Sequence, residues 1–269
     1  MLPLKDNIPT RAFPVVTVVI ILINVAMFFG FQQATWDGGG FAIDDKNTLE
    51  YAEIPYEITH PGEHCGAIGD LDDPSAKIVC GEPEELNQAG ADPGGDQPST
   101  WLTMLTSMFM HGGLLHILGN MLFLWIFGNN VEDSMGRVKF VVFYLLGGFA
   151  ATAAQVGFSP NEAVPTLGAS GAVAAVLGAY ALLYPRARVV TLVFIIIFIT
   201  VIELPAWLVL FGWAVLQVLS ASSEAAVGGE GGGVAYWAHI GGFVFGLLLI
   251  KLFATRARDD YVDPKLPVY

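Results

Sequence analysis

Charge is what this sequence has least of. Of 269 residues only 14% are charged, against about 25% in a typical soluble domain. Hydrophobic residues make up 54%, and the mean hydropathy is +0.58. A chain with so few polar groups would struggle to cover its surface in water. Cysteine is also scarce. Two cysteines exclude a disulfide-rich scaffold and a four-cysteine zinc site. Basic residues are few, 12 against 25 acidic ones, and a net charge of -13 excludes a nucleic-acid partner, which demands basic surface. The H-E-x-x-H pattern of a zinc protease does not occur. The long apolar runs hold no aspartate, so an aspartyl intramembrane protease is excluded as well.

Long uncharged runs are abundant instead. Crossing about 30 Å of hydrocarbon takes about 20 helical residues, and lipid leaves no partner for unpaired backbone groups. Six runs meet this requirement, near 14–31, 114–130, 140–158, 167–183, 189–217 and 235–253. The fifth is interrupted only by Glu203 and Pro205, which predict a kink at a substrate gate or a distorted helix whose carboxylate finds a buried donor. The first run is longer than a signal-peptide core and no A-x-A site follows it, so it is expected to be retained as a span. The fold class expected is an all-α polytopic membrane protein.

Lysine and arginine set the orientation. With the N-terminus in the cytoplasm, the inner segments hold Lys5, Arg11, Arg137, Lys139, Arg186, Arg188, Lys251, Arg256, Arg258 and Lys265, ten of the twelve. Only Lys46 and Lys77 lie outside. Residues 34–100 carry 15 of the 25 acidic groups and read as one solvated extracytoplasmic loop with little regular structure. Its Cys65 and Cys80 sit in a compartment that permits disulfides, so a bridge is expected. The organisation predicted is a cytoplasmic N-terminus (1–13), a first span (14–33), the acidic loop (34–100), a five-span core (101–254) and a cytoplasmic tail (255–269).

Polar residues inside spans are costly and mark function. The second span opens on His111, His116 and Asn120, the last two four apart on one helix face. The fourth opens on Gly168-Ala169-Ser170-Gly171. The sixth carries Ala238-His239 followed by Gly242 and Gly246, a small-xxx-small seam. Spans two, four and six all run inward, so His116, Asn120, Ser170 and His239 share one depth, roughly within 10 Å of the outer surface. Packing alone gives four polar groups no reason to do so. Acyl transfer fits them. Ser170 is a nucleophile awaiting a base, and His239 is the base. Asn120, a ring N–H of His116 and the backbone N–H of Ser170 are oxyanion donors. With no aspartate beside His239, a dyad is expected, its imidazole oriented by tight helix packing. No metal or cofactor is required.

These motifs resemble the rhomboid intramembrane serine proteases. His111, His116 and Asn120 match H-x4-H-x3-N. Gly168 to Gly171 match G-x-S-G, and Ala238 to Gly246 match A-H-x2-G-x3-G. Gly128, Glu132 and Gly136 match G-x3-E-x3-G. The resemblance implies a six-transmembrane-helix bundle that cleaves single-pass membrane proteins near the outer end of their span. It implies catalytic roles for Ser170 and His239 and oxyanion roles for His116 and Asn120. His111, Gly168, Gly171, Gly242 and Gly246 would be supporting residues, and Glu132 a tie between the second span and its neighbours. Two positions depart from the pattern: Ala174 where relatives stack an aromatic ring on the imidazole, and Leu102 after Trp101 where they carry arginine. A catalytically silent membrane-protein binding factor is the alternative. A plasma-membrane location with the site open to the outside is expected, and the glycines from 228 to 233 are read as a cap beside His239.

Overall fold

The computed structural model describes residues 2–36, 41–43, 45–69, 77–91, 98–195, 198–226 and 234–255. The proposed cap at 228–233 and most of the tail lie outside the described residues.

The chain is mostly helical. Strand β1 (Leu2–Asp6) precedes α1 (Val15–Ala26), which continues as a π-helical turn through Phe31. Short elements follow: β2 (Thr35–Trp36), β3 (Phe41–Ala42), α2 (Asp45–Tyr51), α3 (Pro55–Thr59), β4 (His64–Ile68), β5 (Lys77–Gly81) and α4 (Pro83–Ala89). Helix α5 (Thr100–Ser107) leads to α6 (Leu114–Phe123), which runs through a π-helical turn into α7 (Asn129–Met135). Then come α8 (Arg137–Phe158), α9 (Ser170–Leu183), β6 (Arg188–Ile195), β7 (Phe198–Pro205), α10 (Ala206–Ala226) and α11 (Tyr236–Phe253). Among the described residues, four helices are long and apolar enough to cross a membrane: Leu114–Met135, Arg137–Phe158, Ala206–Ala225 and Tyr236–Phe253. Val15–Phe31 and Ser170–Leu183 are shorter apolar helices.

Helix α9 is the hub. Every residue from Gly171 to Ala181 is buried, so it is sheathed by other helices on all sides. Its small residues let α11 approach backbone to backbone. A Cβ on Gly242 would meet the Gly171 carbonyl oxygen, one on Gly246 the Ala175 carbonyl oxygen, and one on Gly178 the Phe243 carbonyl oxygen, each under 3.0 Å. The outer faces carry the opposite pattern: Leu115 is 86% exposed and Leu252 75%, an apolar surface suited to lipid and not to water. At ~1.5 Å per residue, α9 is about 21 Å long. It is therefore shorter than the ~30 Å of a bilayer's hydrocarbon core, and Ser170 is its first residue.

Glu132 fastens α7 to α1. Its carboxylate accepts the N–H groups of Val16 (3.1 Å) and Thr17 (2.8 Å) and the Thr17 hydroxyl (2.8 Å). Pro14 has no capping side chain of its own, so this distant carboxylate serves as the cap. Asp6, buried at the end of β1, accepts from Asn130 Nδ2 (2.8 Å) and from the Tyr180 hydroxyl.

Three expectations are corrected. The run at 189–217 is not one kinked span. Its first half is a β-hairpin, with β6 paired antiparallel to β7 and, on its other edge, to β1. The helix begins only at Ala206. Of the 16 residues from 189 to 204, 11 are Val, Ile or Thr, whose branched Cβ favours a pleated strand. Glu203 pairs with the part-exposed Arg188 across the hairpin at 2.9 Å, so it marks neither a kink at a gate nor a distorted helix with a buried donor, and Pro205 ends a strand. The chain is accordingly mostly helical and not all-α.

The acidic segment, expected to lack regular structure, folds into helices and two hairpins. A small second core gathers Leu49, Ile54 and Cys65. Cys65 and Cys80 face each other in the β4–β5 register and are joined by a disulfide. Acidity did not prevent folding because the bridge and this apolar cluster supply what composition lacked.

Candidate active site

Helix α9 begins where the chain turns sharply at Gly168, whose φ of +130° is open to glycine and strained for other residues. Space there is equally restricted. A Cβ on Gly168 would lie 2.8 Å from Cε1 and 2.9 Å from Nε2 of His116, and 3.6 Å from Ser170 Oγ. The missing Cβ thus marks the point where the imidazole edge of His116 and the Ser170 hydroxyl converge. The Gly168 N–H donates to the Ser107 carbonyl (2.8 Å), which pins this turn against α5.

His116 sits in the first turn of α6. The Gly112 N–H donates to its Nδ1 at 3.4 Å. A neutral ring accepting at Nδ1 carries its proton on Nε2, the nitrogen that faces Gly168. Asn120, one turn on, is 7% exposed, and its Nδ2 has no partner. An unpaired buried amide donor is costly and marks a place where another group binds. His111 is fully buried with both ring nitrogens unpartnered. Its ring lies 5.2 Å from that of His116, edge to face, and its main chain exchanges hydrogen bonds with the Gln32 side chain at 2.8 and 3.0 Å. It supports the start of α6 and does not line the cavity.

His239 lies in the first turn of α11. The close approach of Gly242 to Gly171 holds this turn against the start of α9. A cavity of about 460 Å³ opens between the helices and is lined by His116, Asn120, Ser170 and His239 together with Gly168 and Gly171. The structure thus brings together the four polar residues singled out in the sequence. Gly242 and Gly246 act through packing, and Glu132, Cys65 and Cys80 belong to the scaffold. Among the described residues, no cluster of His, Cys, Asp and Glu could hold a metal ion.

Sequence reasoning missed how His239 is held. Gln217 Oε1 on α10 lies 2.7 Å from its Nδ1. An amide oxygen only accepts, so Nδ1 carries the proton and Nε2 is left as an acceptor. Trp213, one turn before Gln217, places its ring 5.7 Å from the imidazole, and Tyr236 stands edge-on at 6.4 Å. Helix packing alone was expected to orient the ring; a hydrogen bond does so, with the Trp213 ring tilted at 38° beside it. The i, i+4 pair Trp213–Gln217 was the available signal, hidden by reading 189–217 as one run. Glu53, from the acidic segment, also lines the cavity and had no signal among 15 acidic residues.

Fold and site together define an integral membrane protein with a serine and a histidine at one cavity between helices. The Rhomboid domain model matches residues 98–256, more than half of the chain, and the chain belongs to the rhomboid family. Among its relatives, "Rhomboid protein 1, mitochondrial" of Saccharomyces cerevisiae is 27% identical over 157 residues, 57% of this chain and 42% of that protein. "Presenilin-associated rhomboid-like protein A, mitochondrial" of Danio rerio is 35% identical over 89 residues, 32% and 23% of the two chains. "Rhomboid protease GluP" of Bacillus subtilis is 39% identical over 79 residues, 29% and 15%. The matches span less than half the length of each relative.

Proposed function

We propose that the chain is an intramembrane serine endopeptidase that hydrolyses peptide bonds in or near the outer end of transmembrane segments. One observation carries this reading. The imidazole of His239 is fixed by Gln217 with Nε2 left as an acceptor, in the cavity that also holds the Ser170 hydroxyl.

In the reaction proposed, Ser170 Oγ attacks the substrate carbonyl carbon as Nε2 of His239 takes its proton. The imidazolium that forms keeps its Nδ1–H on Gln217. The carbonyl oxygen becomes an oxyanion facing Asn120 Nδ2–H, His116 Nε2–H and the N–H of Ser170 at the helix N-terminus. His239 then protonates the departing amine, leaving an acyl ester on Ser170. Water, deprotonated by His239, attacks the ester, and the serine recovers its proton as the acid departs. No metal or cofactor enters the scheme.

Six spans are the arrangement we favour: the four long helices plus Val15–Phe31 and Ser170–Leu183. Packing inside the bundle allows the last to be short. The Lys and Arg distribution supports cytoplasmic termini, with 1–13 and 255–269 inside, 34–100 outside between the first two spans, and the catalytic core within 101–254. The cavity would then open to the extracytoplasmic side of a cell membrane. The mitochondrial location in the names of two relatives is theirs. Single-pass membrane proteins with a helix weakened by glycine, proline or serine near that side are the substrates expected, and the lipid bilayer is the medium.

The test is cleavage of a tagged single-pass substrate co-reconstituted in liposomes. The parent is expected to cut near the outer end of the span, and the Ser170→Ala and His239→Ala variants are not. Stable substrate binding without cleavage by the parent would overturn the protease reading in favour of a silent binding factor.

A further inference from the structure

The acidic segment places one carboxyl residue, Glu53, in the lining of the cavity that holds Ser170 and His239. Glu53 follows α2 and is 2% exposed. Its main chain pairs with Thr166 in both directions, 3.2 Å and 2.6 Å, two residues before Gly168. The neighbouring stretch is docked as firmly: the Tyr56 N–H donates to the Glu162 carbonyl (3.0 Å), the Thr106 hydroxyl to the Tyr51 carbonyl (2.7 Å) and the Thr59 hydroxyl to the Pro160 carbonyl (2.6 Å). The carboxyl itself is half satisfied. Oε2 accepts from the Thr152 hydroxyl at 2.6 Å, while Oε1 is buried with no partner. Glu53 and Ser170 line the same cavity.

Such a group needs an explanation. A buried acceptor left open costs free energy, and a buried carboxylate without a cation costs more. Among the described residues, the one salt bridge is Arg188–Glu203, on the hairpin, and no described lysine or arginine pairs with Glu53. Burial pushes the Glu53 carboxyl up to about 7, with the Glu162 carboxylate adding to the rise. A cation arriving in the cavity would remove this penalty.

We propose that Glu53 is a specificity-determining residue that receives a basic side chain, Lys or Arg, flanking the peptide bond attacked by Ser170. This inference rests on the protease reading above. The open Oε1 accepts a hydrogen bond from the ammonium or guanidinium head, and Thr152 holds the other oxygen. A carboxylate bonded to a cation is the stronger kind of hydrogen bond, so substrate binding itself supplies the missing partner. The acidic segment thereby gains a role in recognition. It carries Glu53, on a folded and disulfide-linked unit, to the edge of the catalytic cavity.

The test uses the full-length protein in liposomes and one transmembrane substrate carrying Lys, Met or Glu at either position flanking the cleaved bond. The readout is the ratio of kcat/KM for Lys over Met, in which a general loss of activity cancels. The parent is expected to favour Lys by about tenfold or more, the size of one charge-assisted hydrogen bond. Glu53→Gln is expected to bring the ratio close to one, and Glu53→Asp to retain a preference for Lys. A parent that cuts Met or Glu substrates as well as Lys would overturn the proposal, as would a ratio unchanged in Glu53→Gln. Should that variant fail to fold, the parent and Glu53→Asp ratios still decide. Absence of any cleavage, with no labelling of Ser170 by a fluorophosphonate, would overturn the protease reading itself; cleavage without a basic preference overturns the subsite alone.

Discussion

The seam between α9 and α11 makes a quantitative prediction at Gly242. A Cβ there would fall under 3.0 Å from the Gly171 carbonyl oxygen, whereas ordinary contact begins at 3.4 Å. The obstacle is backbone, which has no rotamer to give. In Gly242→Ala the two helices must therefore part by roughly 1 Å, and overpacking of this kind costs about 1–3 kcal/mol. Catalysis should suffer more than stability. Gly171 follows Ser170 directly and His239 lies one turn before Gly242, so the displacement falls between the proposed nucleophile and its proposed base. A misplacement of ~1 Å costs about 100-fold in rate. The assay is the rate constant of fluorophosphonate labelling in detergent, read beside thermal unfolding. Gly246→Ala meets the same kind of obstacle at the Ala175 carbonyl, one turn further from His239. A similar loss of stability with a smaller loss of rate is expected there. Gly157→Ala, with nothing within 4 Å, should stay folded and gain up to ~1 kcal/mol of helix propensity. A folded Gly242→Ala that labels within about threefold of the parent would refute the view that this seam sets the catalytic distance.

Other outcomes follow from particular contacts. Gln217→Leu should lower the labelling rate by about tenfold or more, the worth of a hydrogen bond to an imidazolium, while Gln217→Glu, which still accepts from Nδ1, should retain more of it; equal losses in both would contradict the orienting role. Removing the Asn120 donor with Asn120→Ala should cost about 100-fold or more in kcat with a smaller change in KM; a KM effect alone would move Asn120 out of the oxyanion site. Burial pushes Asp6 and Glu53 up to about 7, from ordinary values of 3.8 and 4.5. The folded state therefore holds protons that the unfolded chain has released. Their contribution to stability is complete below about pH 4 and is lost as pH rises through 7, roughly 4 kcal/mol at most for Asp6 and roughly 3 for Glu53. Denaturant unfolding in detergent at pH 5 and pH 8 checks this, and Asp6→Asn should flatten the fall; stability rising over that interval would contradict it. The disulfide closes a loop with a sequence separation of 15, worth about 3 kcal/mol. Reduction should therefore expose the 45–91 region to protease while the helical core stays protected.

Much of this was legible in the sequence. Long uncharged runs announced the helices. The spacings His116–Asn120, Ser170 and His239–Gly242–Gly246 announced a site that the structure gathers around one cavity. The failures have physical causes. Apolar length does not separate a span from an apolar hairpin, and the branched residues at 189–204 were the better signal. Acidity suggested an open loop at 34–100, but the Cys65–Cys80 bridge and the Leu49–Ile54 cluster fold it. Gln217 and Glu53 reach the site by tertiary packing from α10 and from the acidic segment, and no local pattern marks such contacts.

The most direct measurement is fluorophosphonate labelling of the detergent-purified chain, with the modified residue mapped by mass spectrometry. The account predicts one adduct, on Ser170, formed by the parent and absent from Ser170→Ala and His239→Ala. A folded parent that forms no adduct, or an adduct on Ser170 that persists in His239→Ala at the parent's rate, would contradict a serine activated by His239.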